Sequence, residues 1–183
     1  MRIRDEQRER VISALAGHLL ATGLTQTSLR PLAAAAGVSD RMLLYYFRDK
    51  ADVLACAIGR LADGFADGLD AALPATPMPP EQLLLAATGL VRSPAMQPSM
   101  RLWLDIAAAA ARQQQPYPAI ATRILDQFMA WLEARIDAPP GPARREQAAL
   151  LLAVIDGLAL FDMAGSTAQA DAATRAMASV RFV

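Results

Sequence analysis

Residues 27–54, TSLRPLAAAAGVSDRMLLYYFRDKADVL, decide the reading of this chain. Thr27 or Ser28 can cap a helix N-terminus, and Pro31 is tolerated only within a first turn, where its missing N–H costs little. A helix is therefore predicted over 28–36, with Ala33 to Ala36 offering a small-residue surface against which a second helix can lie close. Gly37 stands where the chain must turn, a place that often requires positive φ, and Val38 fills the junction. Ser39 is a second N-cap, which leaves 40–47 as a helix of about two turns. Two short helices around a tight turn make a helix-turn-helix, whose second helix enters the DNA major groove by its N-terminal residues. Here those are Asp40, Arg41 and Met42.

The side chains around this turn suit a duplex. Arg30 and Arg41 carry the planar fork that matches guanine O6 and N7, so they are the candidates for base edges. Asp40 can accept from cytosine N4 or orient Arg41. Thr27, Ser39, Tyr45, Tyr46, Arg48 and Lys50 are the candidates for phosphates, contacts that fix register rather than sequence.

The run G-V-S-x-x-x-L-x-x-Y-F-x-x-K, present as Gly37, Val38, Ser39, Leu43, Tyr46, Phe47 and Lys50, resembles the tetracycline-repressor (TetR) family. With Val11 to Gly23 counted as the family's first helix, the resemblance reaches residue 55; beyond it the chain resembles the family in helical character and length. It implies a transcriptional regulator, a dimer whose last two helices form a four-helix bundle, and a body enclosing an effector pocket. Two positions depart from the family's pattern. Leu44 stands where a Tyr commonly touches a DNA phosphate, a contact here lost or passed to Tyr45, and Arg48 replaces a frequent Pro.

Composition agrees with a small head on a larger helical body. The 183 residues are 54% hydrophobic but only 5% aromatic, and abundant alanine favours closely approaching helices over a β-sandwich. The expected class is all-α, with an N-terminal three-helix DNA-binding domain over 1–50 and a helical effector-binding and dimerisation domain over 51–183. Net charge is zero, yet the first 50 residues hold three more basic than acidic groups. A mildly basic head on an acidic body suits DNA contact at one end. The single Cys56 permits no intrachain disulfide and suits a reducing compartment, the cytoplasm; no apolar run approaches a membrane span, and Met1–Arg10 makes a poor signal peptide.

Proline clusters at 74–80, 94–98, 116–118 and 139–142 divide the body. Helices are predicted at 4–22, 28–36, 40–47, 51–72, 81–92, 98–114, 118–137, 143–164 and 167–179. The helix 143–164 is apolar nearly all round from Ala148 to Phe161, so it must be covered on both sides. A second copy of the chain would cover it, with Ala149, Ala153 and Gly157 permitting close approach; a place in the centre of its own core is the alternative.

Catalytic chemistry finds little support. His18 and Cys56 are each the only residue of their kind, so neither a His/Cys metal site nor a Cys–His pair can be assembled, and glycine-rich phosphate loops are absent. No cofactor, metal or catalytic residue is expected. Asp156 interrupts an apolar helix, and a buried carboxylate there needs a partner, from an arginine or from a ligand. Two stripes at helical spacing offer material for a pocket: Met96, Met100, Trp103 and Ala107, and Ile120, Ile124, Phe128 and Trp131. Met96, Met100, Trp103, Phe128, Trp131 and Asp156 are thus the candidate ligand residues for a small apolar or amphipathic effector, against ordinary core packing.

The reading that unites these features is a homodimeric, ligand-responsive regulator, more simply a repressor, of a near-palindromic duplex operator. A helical small-molecule-binding or adaptor protein that has lost DNA contact is the alternative. A small all-α enzyme using carboxylates such as Asp105 or Asp156 is the weakest.

Overall fold

The computed structural model of the chain describes residues 2–177. The helices among them are α1 (Arg2–Thr22), α2 (Leu29–Ala35), α3 (Asp40–Tyr46), α4 (Lys50–Ala72), α5 (Pro80–Val91), α6 (Gln97–Ala111), α7 (Tyr117–Arg135), α8 (Pro142–Met163) and α9 (Thr167–Met177). No strand occurs among the described residues, so the class is all-α. Each helix lies within a few residues of its expected span; residues 178 and 179 of the last expectation lie outside the described residues.

Two compact units divide the chain: one holds everything up to Gly64 together with Arg101–Ile124, the other Phe65–Met100 and the chain from Leu125 onward. α4, α6 and α7 each contribute residues to both.

In the first unit, α1 buries Val11, Ile12, Leu15, Ala16 and Leu19, the three- and four-residue spacing of one helix face. Leu32 and Ala33 of α2, Leu43 and Phe47 at α3, and Val53, Leu54, Ala57 and Ile58 of α4 are buried as well. Each such large apolar side chain contributes about 1.5–3 kcal/mol through burial. The turn after α2 takes the form that its glycine permits. Gly37 adopts φ 65°, and the N–H groups of Gly37 and Val38 return to the carbonyls of Ala34 at 3.1 Å and Ala33 at 3.0 Å. Two carbonyls that the helix end would otherwise leave open are thereby satisfied. Ser39 caps α3 as expected, its hydroxyl oxygen accepting the Met42 N–H at 3.1 Å.

The start of α2 differs from expectation. Ser28 has the extended backbone of an N-cap, but its hydroxyl makes no capping bond, and the Thr27 hydroxyl donates to the Leu24 carbonyl at 3.3 Å. The cause is Pro31. It occupies the third helical position, one of the two whose N–H a cap side chain receives, and it has no N–H.

In the second unit, Met78 pins the proline-rich link to the end of α7: its N–H donates to the Arg135 carbonyl and its own carbonyl accepts the Asp137 N–H, both at 2.9 Å. α5, α8 and α9 pack together, burying Leu83, Leu84, Ala87 and Val91 against the level of Ala148, Leu151, Ile155, Leu158 and Ala159. Arg92, just past α5, closes this group. Its guanidinium donates two bonds to Asp162 at 2.6 and 3.0 Å, one to Asp171 at 2.7 Å and one to the Thr174 hydroxyl at 3.0 Å.

Candidate nucleic-acid interface

α3 is short enough that its two faces are read off directly. Leu43 and the following Phe47 are buried, while Asp40, Arg41, Met42, Leu44 and Tyr45 are exposed. Leu44 is 44% exposed and Tyr45 59%, large apolar surfaces that a seven-residue helix would not present to water without a use for them. Arg41, Leu44, Tyr45 and Arg48 follow the three- and four-residue spacing of one face, with Arg30 and Lys50 also exposed on α2 and at the first residue of α4.

The other expected phosphate contacts are partly engaged. Ser39 uses its oxygen to cap α3, which leaves its O–H to donate. The Tyr46 phenol is half-buried and donates to Gln7 Oε1 at 2.7 Å, so its proton is committed within the head. Arg48 is exposed, but its backbone N–H donates to Asp52 at 3.0 Å and its guanidinium lies 3.6 Å from the same carboxylate. The backbone N–H, more than the guanidinium, holds the Asp52 carboxyl below the usual carboxylate range.

The first helix is part of this arrangement, which its sequence alone did not signal. Three successive aromatics after Leu44 each receive one α1 side chain. The Arg4 guanidinium lies over the Tyr45 ring at 4.7 Å, Gln7 accepts from Tyr46, and the Arg8 guanidinium lies over the Phe47 ring at 5.0 Å. Residues 4, 7 and 8 share one face of α1, continuing the buried Val11 and Leu15. Their spacing was the available signal. Arg8 also donates to Cys56 Sγ at 3.2 Å, and burial pushes that thiol up from its ordinary pKa. Cys56 is therefore a packed thiol rather than a thiolate.

The candidate ligand residues are distributed over both units. Met96, Met100, Phe128, Trp131 and Asp156 belong to the second, Trp103 to the first. Met100 and Trp131 are buried; Met96, Trp103, Phe128 and Asp156 are half-buried. Phe128 meets Phe65 edge to face at 5.2 Å. The Trp131 N–H donates to Asp70 at 2.6 Å, and Arg135 both stacks on its ring at 4.1 Å and donates to the same carboxylate at 2.5 Å. Among the described residues no group of three or more His, Cys, Asp or Glu is placed to hold a metal ion, and no helix is long and apolar enough to cross a membrane.

α8 is apolar on two sides, as its sequence indicates. Opposite its buried face, Leu150, Leu160 and Phe161 are 50%, 53% and 44% exposed, and Ala149 and Ala153 are exposed between them, with Gly157 half-buried.

Residues 12–56, which contain α2, α3 and the buried face of α1, match the family described as bacterial regulatory proteins, tetR family. Among solved structures, a transcriptional regulator from Rhodococcus sp. Rha1 shares 28% identity, covering 93% of this chain and 91% of that one with a TM-score of 0.69. A TetR-family transcriptional regulator from Cytophaga hutchinsonii shares the fold with a TM-score of 0.77 at 17% identity, covering 100% of this chain and 98% of that one. The multidrug binding protein EbrR, solved with proflavin, shares it with a TM-score of 0.69 at 24% identity, covering 94% and 98%. No curated protein matches the chain in sequence. Its helix-turn-helix, the order of its nine described helices and these likenesses make the chain a DNA-binding transcriptional regulator of the tetR family rather than an enzyme.

Proposed function

We propose that the chain acts in the cytoplasm as a homodimeric repressor, binding a near-palindromic operator through two heads and releasing it when a small apolar or amphipathic molecule enters the helical body. Residues 1–50 read the duplex; residues 51–183 bind the effector and the second copy. The observation that carries the reading is the face of α3, where Arg41, Leu44 and Tyr45 are exposed at helical spacing while Leu43 is fully buried behind them. Arg30 and Arg41 address base edges, Asp40 orients Arg41 or meets a cytosine, and Thr27, Ser39, Tyr45, Arg48 and Lys50 meet phosphates. Tyr46, whose proton goes to Gln7, supports this face from behind.

The second copy is supported by the exposed Leu150, Leu160 and Phe161, which together with Ala149, Ala153 and Gly157 form a stripe too apolar for a free surface. Effector binding is supported by the half-buried Trp103, Phe128 and Met96 and by EbrR, a protein of the same fold solved with proflavin. Such an effector lowers operator affinity only by preferring the head spacing that does not fit the operator.

The test is selection of duplexes from a random pool by the purified protein. Enrichment of an inverted repeat with half-sites about 34–36 Å apart, or a multiple of that, is the expected result. A pool that stays random, with binding insensitive to salt, leaves the adaptor reading in place of this one.

A further inference from the structure

We propose that the first turn of α1 is a phosphate-binding arm of the DNA interface, in which Arg4, held on the ring of Tyr45, takes the contact that Leu44 cannot make. The inference rests on the DNA-binding reading above and adds to it an element outside the helix-turn-helix.

Three observations meet at this place. First, Leu44 and Tyr45 occupy the exposed face of α3, and Leu44 brings no group that can bond a phosphate. Second, the Arg4 guanidinium lies 4.7 Å from the Tyr45 ring centroid, so the cation sits on a side chain of that same face. A ring face attracts a guanidinium through its quadrupole and leaves the in-plane N–H groups pointing outward, where a phosphate can accept two of them. Third, the position of Arg4 is fixed by its neighbours on α1. Gln7 accepts the Tyr46 phenol proton at 2.7 Å, and Arg8 covers Phe47 at 5.0 Å, so three consecutive aromatics anchor three residues on one face of the helix.

Charge on α1 is sorted to match. At about 100° per residue, Asp5 and Glu9 lie to the side of the Arg4–Gln7–Arg8 face. Glu9 is engaged by Arg60 at 2.9 Å. Among the described residues no carboxylate forms an ion pair with Arg4, whereas Arg48, at the other end of the aromatic run, shares its charge with Asp52. A seven-residue α3 is about 10 Å long and the major groove about 12 Å wide, so a cation held beside one end of the helix stands near a wall of phosphates.

The experiment measures affinity for the selected operator and for random duplex against salt concentration. Arg4→Ala should weaken both by roughly tenfold and reduce the salt slope by about 0.9. Tyr45→Phe keeps the ring, and on that background Arg4→Ala should still cost roughly tenfold; on Tyr45→Leu, which removes the ring, it should cost less than about twofold. Melting temperatures of all variants establish that the head is folded. If the parent binds operator and Arg4→Ala leaves both slope and affinity as they were, the arm does not exist although the DNA-binding reading stands. Equal losses from Arg4→Ala on both Tyr45 backgrounds would show that the ring does not hold the cation. A parent that binds no duplex overturns both readings.

Discussion

The Asp105 carboxylate on α6 accepts the backbone N–H of Leu24 at 3.4 Å, beside a glycine whose added Cβ would come 2.5 Å from the same oxygen. Gly23, at φ 62°, ends α1, and its own N–H returns to Leu19 at 2.8 Å. The turn out of α1 is thus held by an acceptor 81 residues away in the chain. Gly37 has nearly the same φ, 65°, but nothing within 4 Å of its Cβ position. The two glycines therefore separate backbone strain from contact. Alanine at either should cost about 1–2 kcal/mol for the left-handed backbone. Gly23→Ala should cost up to about 1 kcal/mol more, because Asp105 must move and give up the Leu24 N–H. Thermal unfolding should show the larger loss at Gly23, and the difference should vanish on an Asp105→Ala background. A larger loss at Gly37 would contradict this account.

Arg92 supports a second prediction. Its side chain is 14% exposed and that of Asp162 11%, so both charges have left water and each depends on the other. Removing one partner of a buried pair costs about 3–5 kcal/mol because the other charge stays behind. Arg92→Met should show a loss of that order in denaturant unfolding. The double variant Arg92→Met with Asp162→Leu should recover much of it, since an apolar pair of similar volume has no charge to strand.

The same pair fixes a pH dependence. The Arg92 guanidinium holds the Asp162 carboxyl below its ordinary pKa of 3.8, with Arg92 itself raised and charged throughout. A depressed carboxyl contributes stability that is fully present above the unfolded-state pKa and lost as pH falls through the folded-state value. Stability should therefore hold from neutral pH to about 5 and fall below about 4. Asp162→Asn should flatten the acid limb of the unfolding curve; a parent curve no steeper than that of the variant would refute the assignment.

What sequence conveyed and what it did not divides along physical lines. The caps, glycines and prolines act locally, so Ser39, Gly37 and the proline clusters marked the helices to within a few residues. Apolar spacing marked the two-sided character of α8 for the same reason. Pro31 misled at the start of α2, because its lack of an N–H was weighed as tolerated and not as the removal of the cap's own partner. Polar contacts across long separations left no local trace: Arg92 reaches Asp162 across 70 residues, and Trp131 reaches Asp70 across 61. Arg4 and Gln7 could have been found. They repeat the spacing of Val11 and Leu15, but their polarity conceals a face that packs on aromatics.

DNA reading predicts a contrast between two exposed cations. Arg41→Ala should cost roughly 1–3 kcal/mol on the selected operator and relax preference at one base pair, with little effect on random duplex. Lys50→Ala should weaken every duplex alike and reduce the salt slope by about one. Fluorescence anisotropy on both duplexes over a salt series measures the pair. Parent-like behaviour of both variants would mean that the duplex is met by another surface.

Dimerisation has a clean probe at Gly157, where an added Cβ meets nothing within 4 Å. A bulky side chain there is tolerated by the monomer and intrudes only on a neighbour. Gly157→Trp should therefore keep the melting transition of the folded chain while shifting sedimentation from dimer to monomer. Operator affinity should fall with it, because each head alone makes half the contacts. A dimer that survives Gly157→Trp, or a monomeric parent at micromolar concentration with full operator affinity, would place the second copy elsewhere or nowhere.

The two tryptophans should separate effector binding from stability. Trp131 is buried, its N–H is held by Asp70 and its ring is covered by Arg135. Trp131→Ala should cost about 3–5 kcal/mol of folding free energy through lost burial and a cavity. Trp103 is half-buried, so its removal should cost less in stability and act chiefly on the effector. For a ligand to move the dimer from almost wholly operator-competent to almost wholly released, it must prefer the released state about ten-thousandfold, roughly 5.5 kcal/mol. Weakening the released-state contact through Trp103→Ala should raise the effector concentration needed for half-release, with effector-free operator affinity almost unchanged. A screen of planar and amphipathic compounds, read by thermal shift and by operator anisotropy, supplies the ligand. If the compounds that shift melting leave operator affinity fixed, or if Trp103→Ala responds to them as the parent does, Trp103 does not face the effector.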